Sequence, residues 1–379
     1  MRRLLKLIAV IAIIAFALTA CDATPVNVPQ GNVGVEAQTA SPGSQTGRSA
    51  SGGPTDEPAI DLGFTVYYID VGQADAALIV CDGETMLIDG GNASDSSLIY
   101  SFLERHGITH LDYIVGTHAH EDHIGGLAGA LNYATVGVAF CPVTEYDSRV
   151  FGNFVKYLGE RDVSITVPNH GDSFMLGSAD VKIVGPTRDH REPNNTSIVL
   201  KITYGSTSFL FTGDAERPAE QDILEAGHDI SATVLKVGHH GSDTATTYPF
   251  LREIMPQYAV ISCGTDNIYG HPTEDALSRL RDADVTVFRT DMQGTIICVS
   301  DGETVSITTD RNATAQTNPT EREAETVDAL EEYYIGNSNT HKFHRPDCSG
   351  LPNENNRVVL ETRDAAISGG FESCGICKP

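Results

Sequence analysis

Apolar residues between positions 64 and 310 fall into short runs that are separated by turn residues and by amphipathic stretches. The runs of β-branched, aromatic and aliphatic residues predict buried strands, and apolar positions with a helical period predict helices. The two kinds alternate, which indicates an α/β fold with sheets covered by helices. The predicted strands are residues 64–69, 76–81, 85–89, 113–116, 136–140, 165–167, 174–176, 181–184, 198–202, 208–213, 234–238, 296–299 and 305–308, and the predicted helices are 94–105, 150–158 and 273–281.

Two features of this pattern predict core residues. The stretch 94–105 is amphipathic, with Leu98, Phe102 and Leu103 expected on one buried face of a helix. Several cysteines lie in or beside the strand-like runs, where small buried core residues are expected. Their spacing predicts no disulfide pairing. These cysteines are Cys81, Cys141, Cys263 and Cys298.

Residues 116–126 read Gly-Thr-His-Ala-His-Glu-Asp-His-Ile-Gly-Gly, directly after a predicted strand and before an apolar stretch that predicts a helix. A loop that leaves a buried strand lets several imidazoles converge, and imidazole and carboxylate are ligands of divalent zinc. The segment therefore indicates a metal site, with a His-rich surface loop as the alternative. The candidate ligands are His118, His120, Asp122 and His123.

Further short motifs surround this segment in a defined order. They are Tyr-Ile-Asp-Val-Gly-Gln-Ala-Asp-Ala at 68–76, Leu-Ile-Asp-Gly-Gly at 87–91, Phe-Thr-Gly-Asp at 211–214, Val-Gly-His-His-Gly-Ser at 237–242 and Tyr-Gly-His-Pro at 269–272. Together with the histidines, they resemble the metallo-β-lactamase superfamily of hydrolases, and within it the branch of ComEC-type competence (DNA-internalisation) proteins. The resemblance implies an αβ/βα sandwich, two mixed sheets flanked by helices, over residues 61–312. It also implies one or two divalent metals, zinc or manganese.

The resemblance assigns roles to carboxylates outside the histidine segment. Asp214 is expected to bridge two metals, although a turn aspartate would look the same. Asp89 is expected to fix the histidine loop without binding metal, and Asp75 is expected beside the site in a similar supporting position. Asp122 is expected both to bind metal and to position the attacking hydroxide.

The chain departs from the superfamily before the strand at 198–202. Most members carry a third histidine of the first metal there, and this chain has Asn195. A carboxamide is a poor replacement because neutral oxygen suits harder cations. Asn195 and Ser197 are therefore expected to bind substrate oxygens.

The second histidine motif predicts a further ligand and several substrate contacts. His239 is expected to bind the second metal, while His240 and Ser242 are expected to face the substrate. His271 precedes a predicted helix, and a helix N-terminus favours anions. His271 is therefore expected to contact substrate or to act as an acid.

The 379 residues carry 25 basic and 51 acidic side chains, a net charge of −26, which opposes non-specific attraction to a polyanion. The basic start and the apolar run up to residue 18 are typical of a signal peptide. They end in Leu-Thr-Ala-Cys21, which resembles the lipobox of bacterial lipoproteins, so residues 1–21 predict a lipoprotein signal with lipidation at Cys21. An ordinary signal peptide or a short anchor is the alternative. Residues 22–60 are rich in Pro, Gly, Ser, Thr and Gln and predict a flexible tether.

A polar linker at 313–332 leads to a small unit at 333–379. This unit resembles the zinc-binding module of Ada DNA-repair proteins, which implies a zinc-stabilised α+β domain. The resemblance places a histidine where that family has its methyl-accepting cysteine, so the repair chemistry is expected to be absent. A disulfide between the last two cysteines is the alternative, and DNA contact rests on analogy alone. The implied zinc ligands are His344, Cys348, Cys374 and Cys377.

These observations predict an extracytoplasmic, membrane-anchored, metal-dependent hydrolase of phosphate esters, most readily a nuclease or phosphodiesterase. Its expected partners are a phosphodiester, with DNA as one candidate, and the membrane through a lipid anchor; no protein partner is indicated. Hydrolysis of a cell-wall phosphodiester or another ester, and a non-catalytic role in DNA binding or uptake, remain alternatives. A serine triad is excluded because Gly-x-Ser-x-Gly is missing.

Overall fold

The structure is a computed structural model that describes residues 63–320, 333–346, 348–360 and 362–379. The predicted signal peptide, the lipidation site Cys21, the tether at 22–60 and most of the linker at 313–332 lie outside the described residues. Within the described ranges, none of the helices combines the length and the apolar character that a bilayer crossing requires.

Fifteen strands of the first domain form two mixed sheets. They are β1 (Phe64–Tyr68), β2 (Ala77–Cys81), β3 (Glu84–Ile88), β4 (His110–Val115), β5 (Thr135–Phe140), β6 (Ile165–Thr166), β7 (Ser173–Leu176), β8 (Ala179–Gly185), β9 (Val199–Tyr204), β10 (Thr207–Phe211), β11 (Val234–Lys236), β12 (Tyr258–Ile261), β13 (Thr286–Arg289), β14 (Ile296–Ser300) and β15 (Val305–Thr309).

Each sheet joins an antiparallel half to a parallel half. The first has the order β15-β14-β1-β2-β3-β4-β5-β6 and is parallel from β3 to β6. The second has the order β13-β12-β11-β10-β9-β8-β7 and is parallel from β10 to β13. Strand β12, inside the parallel half of the second sheet, is buried on both faces, as its continuous apolar sequence requires. The parallel strands β5 and β13 are only partly buried.

Helices cover the outer face of each sheet. One apolar core lies between the sheets, a second packs helices against the first sheet, and a third packs helices against the second sheet. The predicted αβ/βα sandwich is thereby confirmed. The helices are α1 (Ser96–Arg105), α2 (Glu121–Ile124), α3 (Leu127–Tyr133), α4 (Arg149–Gly159), α5 (Arg217–Ala226), α6 (Tyr248–Ile254), α7 (Glu274–Asp282) and α8 (Thr290–Gln293).

Two details of the first domain differ from expectation. Helix α1 buries Ile99 and Leu103, which are four residues apart on one face, whereas Leu98 is 39% exposed. The first domain also continues past residue 312. Thr317 is buried and donates a 2.6 Å hydrogen bond to the carbonyl oxygen of Val287. The start of the predicted linker therefore packs on the domain. The four expected core cysteines are all buried free thiols.

The described residues of the small C-terminal unit form a four-stranded sheet and one helix. Among these residues the hydrophobic cluster has three buried members, Tyr334, Phe343 and Ala366. A core this small provides little burial, so a bound metal would add substantially to its stability. The sheet has the order β18-β16-β17-β19, made of β16 (Tyr334–Asn337), β17 (Lys342–His344), β18 (Arg357–Leu360) and β19 (Glu372–Ser373), and the helix is α9 (Arg363–Ser368).

Candidate metal centre

The candidate ligands follow three parallel strands, β4, β10 and β11, at their carboxyl ends. The histidine segment follows β4, Asp214 follows β10, and two histidines follow β11. Close packing of two glycine loops sets the position of the histidine segment. A Cβ on Gly126 would lie 1.8 Å from the carbonyl oxygen of Gly90, a distance that no side chain tolerates. Glycine is therefore required where the histidine loop meets the loop after β3.

Asp89 fixes this loop from behind. Its carboxylate accepts hydrogen bonds from the backbone nitrogen and the hydroxyl of Thr117, at 2.8 and 2.7 Å, and contacts Nδ1 of His123 at 2.8 Å. Because a carboxylate only accepts, Nδ1 of His123 carries the proton and Nε2 keeps its lone pair for a ligand. The structure thus places Asp89 where the resemblance expects it, in contact with a ligand histidine.

Four side chains converge beyond His123. The ligand atoms of Asp122, His123, Asp214 and His240 all lie within 4.8 Å of one another. Nε2 of His123 is 3.3 Å from Oδ1 of Asp214, and Nε2 of His240 is 3.7 Å from the same oxygen. Nδ1 of His240 lies 3.0 Å from the carbonyl oxygen of Ser262, to which it must donate, so Nε2 is the nitrogen that faces the group.

Unpartnered polar atoms test whether this group fits a metal. Nε2 of His123, Oδ1 of Asp214 and Nε2 of His240 are buried and have no hydrogen-bond partner among the described residues. Buried polar atoms rarely remain unpaired, and a metal ligand is one explanation for such an exception. Two imidazole nitrogens and two carboxylates are also donors that suit zinc. The group therefore fits a divalent metal.

The electrostatics of the group agree with this fit. Burial alone would raise the pKa of Asp122, but His240 and His123 hold it at about 2. Burial alone would lower the pKa of His240, but Asp214 and Asp75 raise it to about 10. The carboxylates are therefore ionised, and they favour a positive charge between these imidazoles, whether protons or a metal supply it.

A second set of donors lies on the other side of Asp214. Nε2 of His118 is 3.1 Å from Nδ1 of His120 and 3.9 Å from Oδ2 of Asp214. Nε2 of His239 is 3.7 Å from the same oxygen. Burial and the neighbouring His123 hold the pKa of His118 well below its ordinary value, so this imidazole is neutral and able to ligate. Asp214 thus presents one oxygen to each set.

The structure corrects the expected division of work between the two adjacent histidines. His240, and not His239, lies in the group with Asp122, His123 and Oδ1 of Asp214, whereas Nε2 of His239 lies 3.7 Å from Oδ2 of Asp214. His240 is also only 2% exposed, although it was expected to face a substrate. The reason is the backbone: His239 and His240 both have left-handed φ values, 50° and 53°, which redirect their side chains.

Three expected substrate contacts are also buried within the protein. Asn195 bonds the start of helix α5, and the hydroxyl of Ser197 accepts from the backbone nitrogen of Asp214 at 3.1 Å. Ser242 is buried and lies 3.0 Å from the hydroxyl of Thr244. The contacts of these three side chains are therefore with the protein itself, on or beside the loops that carry the candidate ligands. His271 does lie beside the centre, with its ring centroid 5.5 Å from that of His239.

Sequence analysis missed Lys236, the last residue of β11. Its ammonium group lies 2.7 Å from Oδ2 of Asp75, and both side chains are buried. Oδ1 of Asp75 lies 3.2 Å from Nδ1 of His240, so this pair supports the ligand histidine from behind. A lysine inside the apolar run before the two histidines was the available signal.

The C-terminal unit holds a separate group of ligands. The donor atoms of His344, Cys348, Cys374 and Cys377 lie within 4.8 Å of one another. Backbone N–H groups point at the sulfurs: Arg345 donates to Cys377 and Ile376 donates to Cys374, each at 3.4 Å. Backbone donors from Cys377 and Ile376 lower the pKa of Cys374, which favours the thiolate. Three sulfurs and one imidazole fit a closed structural zinc site.

Comparison with known proteins agrees with both domains. Residues 69–265 match the metallo-beta-lactamase superfamily, and residues 321–379 match the metal binding domain of Ada. The chain is 31% identical over 258 residues to ComE operon protein 3 of Bacillus subtilis, covering 63% of this chain and 33% of that protein. It is 28% identical over 246 residues to competence protein ComA of Neisseria gonorrhoeae, covering 64% and 33%.

The chain thus spans about a third of the length of these curated relatives. Among solved structures, the metallo-beta-lactamase fold protein YhfI from Bacillus subtilis matches with a TM-score of 0.41 and 13% identity, over 65% of this chain and 100% of that one. The chain belongs to the metallo-beta-lactamase superfamily of metal-dependent hydrolases, is related to the ComEC-type competence proteins, and carries an Ada-type zinc-binding domain at its C-terminus.

Proposed function

We propose that this chain is a phosphodiesterase that uses two metals and acts outside the cytoplasmic membrane, with DNA as one substrate. The observation that carries the proposal is the position of Asp214, whose two oxygens face two separate sets of imidazoles. Centres with two metals that share a bridging carboxylate suit in-line displacement at phosphorus, because both the attacking and the leaving oxygen are stabilised.

The residues of the chain divide the work around these metals. Asp122, His123 and His240 would hold one metal, His118 and His120 would hold the other, and Asp214 would contribute to both. When bound, the metals polarise the phosphoryl oxygen and lower the pKa of water toward neutrality. Asp122 is a third exposed, so it also reaches the solvent side and orients the attacking oxygen by accepting its hydrogen bond.

His271 is the substrate contact that the geometry supports. Burial and the nearby His239 lower its pKa to about 4, so the ring is neutral at pH 7. A neutral imidazole donates one hydrogen bond to a phosphate oxygen and does not serve as a cationic acid. His271 therefore binds the substrate, and the leaving group takes its proton from another source.

The proposed location rests on a sequence motif. The lipobox-like sequence ending at Cys21 supports a lipid anchor, which would hold the chain at the outer face of the membrane. Such an arrangement suits hydrolysis of phosphodiesters at the cell surface.

The net charge of −26 limits how DNA is bound. Since the summed field repels a polyanion, binding is expected to depend on the metals and to weaken only slightly as salt rises. The C-terminal zinc domain is a further candidate for DNA contact, on the analogy with its family alone.

Hydrolysis of end-labelled single- and double-stranded DNA by the full-length chain in detergent tests the proposal. Manganese or zinc is added, and the His118→Ala/His120→Ala variant and a surface control, His170→Ala, are assayed in parallel. Metal-dependent cleavage that survives in the control and is lost in the double variant is expected. Equal cleavage by the double variant overturns the site. Absence of cleavage by every protein overturns the nuclease assignment and favours the DNA-binding alternative if the chain still binds the DNA.

A further inference from the structure

Asn195 stands where the superfamily has the third histidine of its first metal, and its side chain is fully engaged elsewhere. Its amide oxygen accepts from the backbone nitrogens of Glu216 and Ala219, at 3.2 and 3.3 Å. Its amide nitrogen donates to Oε2 of Glu216 at 3.3 Å. Asn195 therefore fixes the start of helix α5 and the carboxylate of Glu216, and it offers no atom to a metal.

The other oxygen of Glu216 faces His239. Oε1 accepts from the hydroxyl of Thr244 at 3.0 Å and lies 3.4 Å from Nδ1 of His239. A histidine that binds a metal typically donates its second ring N–H to a carboxylate or a carbonyl group, which fixes its tautomer. Nδ1 of His239 is closer to the hydroxyl oxygen of Thr244, at 3.1 Å, and this hydroxyl donates in turn to Glu216. Thr244 and Glu216 together therefore hold Nδ1 and leave Nε2 of His239 for a ligand.

The backbone directs this Nε2 to Asp214. Side chains of adjacent residues in an extended segment point to opposite sides. His239 and His240, however, both have left-handed φ values, 50° and 53°, which non-glycine residues adopt rarely. As a result, Nε2 of His239 reaches Oδ2 of Asp214 and Nε2 of His240 reaches Oδ1, each at 3.7 Å. Such backbone strain is found mainly where function requires it.

We infer that His239 supplies the third imidazole of the first metal, beside His118 and His120, and that Glu216 and Asn195 are its positioning residues. His239, which follows β11, thus supplies the imidazole that is missing at position 195. Asn195 helps to position His239 through Glu216. This inference rests on the proposed two-metal centre. The test counts bound metals and uses no substrate. A wrong assignment of His239 is therefore distinguished from a failure of the proposed hydrolysis.

The test is the zinc content of the full-length chain in detergent after dialysis, measured by atomic emission. Wild type is expected to hold three equivalents, one of them in the C-terminal unit. His239→Ala and His118→Ala are each expected to hold two. The His118→Ala/His239→Ala double variant is also expected to hold two, because both residues serve one metal. The matched control is His271→Ala, which removes the neighbouring imidazole and keeps three.

Two outcomes of the zinc measurement overturn the inference. One is a zinc content of His239→Ala equal to that of wild type, and the other is a loss of two equivalents in the double variant, which places His239 at the other metal. Circular dichroism in metal-free buffer shows whether each variant folds. Glu216→Gln provides a second variant that removes charge without removing volume. The affinity for one zinc ion is expected to fall by about 10- to 100-fold, as measured by competition with a chelator. Unchanged zinc affinity in Glu216→Gln also overturns the inference.

Discussion

Lys236 and Asp75 form a buried ion pair, with 2.7 Å between the ammonium nitrogen and Oδ2 of the carboxylate. The pair lies directly behind His240, whose Nδ1 is 3.2 Å from the second oxygen of Asp75. Asp75, Asp89 and Asp214 bring three buried carboxylates into this region. Lys236 offsets part of their charge and keeps Asp75 in place against the ligand histidine.

Lys236→Met is therefore expected to destabilise the metal-free protein by about 3–5 kcal/mol, because it leaves the charge of Asp75 buried without its partner. The Lys236→Met/Asp75→Asn double variant should cost less than the sum of the two single variants, by about 0.5–3 kcal/mol. Urea unfolding followed by circular dichroism measures both. Lys156→Met, at an exposed pair with Glu160, is the control and should change stability by under about 1 kcal/mol. Additive costs for the buried pair would contradict this account.

Asp89→Asn should weaken metal binding without unfolding the chain. The amide keeps the shape of the side chain but loses the charge that holds Nδ1 of His123 at 2.8 Å. Loss of a partner of this kind typically lowers metal affinity by about 10- to 100-fold. Zinc competition with a chelator measures the change, and the exposed Asp180→Asn is the control. An unchanged zinc affinity in Asp89→Asn would show that Asp89 stabilises only the turn after β3 and does not support metal binding.

Gly126→Ala should disrupt the histidine loop. The added methyl group would overlap the carbonyl oxygen of Gly90, so the two loops must separate. Overpacking of this kind typically costs about 1–3 kcal/mol, and misplacing the ligands should also reduce zinc content. Gly152→Ala is the matched control, because the same methyl group meets open space within helix α4. It should stabilise the protein by roughly 0.5–1 kcal/mol. Equal unfolding temperatures for Gly126→Ala and Gly152→Ala would refute the close packing of the two loops.

Zinc removal should unfold the C-terminal unit and leave the first domain folded. The unit has three fully packed core residues, so its stability depends on the group formed by His344 and the cysteines. Cys374→Ser should lower zinc content by one equivalent and expose residues 333–379 to protease, whereas Ser373→Ala should do neither. A Cys374→Ser chain that resists protease as wild type does would contradict a structural zinc.

The sequence predicted most of the fold because its apolar runs are strong and regular. It missed β12 and β13, which are four residues each and gain their stability from parallel neighbours. It also missed helix α5 and the seven-residue helix α6. These elements depend on tertiary packing, which overrides local propensity.

The sequence predicted which residues form the candidate site better than it predicted their spatial arrangement. Spacing and resemblance found the histidine loop and Asp214, because these ligands directly follow apolar strands, β4 in the first sheet and β10 in the second. They did not predict which of His239 and His240 joins which group, since that depends on two left-handed backbone positions. The buried roles of Asn195 and Lys236 were equally invisible, because they depend on partners distant in sequence.

X-ray diffraction from crystals grown with zinc, collected on both sides of the zinc absorption edge, tests the two-metal centre most directly. Two anomalous peaks are expected beside Asp214, one on the Oδ1 side within the group that contains His240 and one on the Oδ2 side between His118 and His239. A single peak at Asp214, or none, would contradict the account.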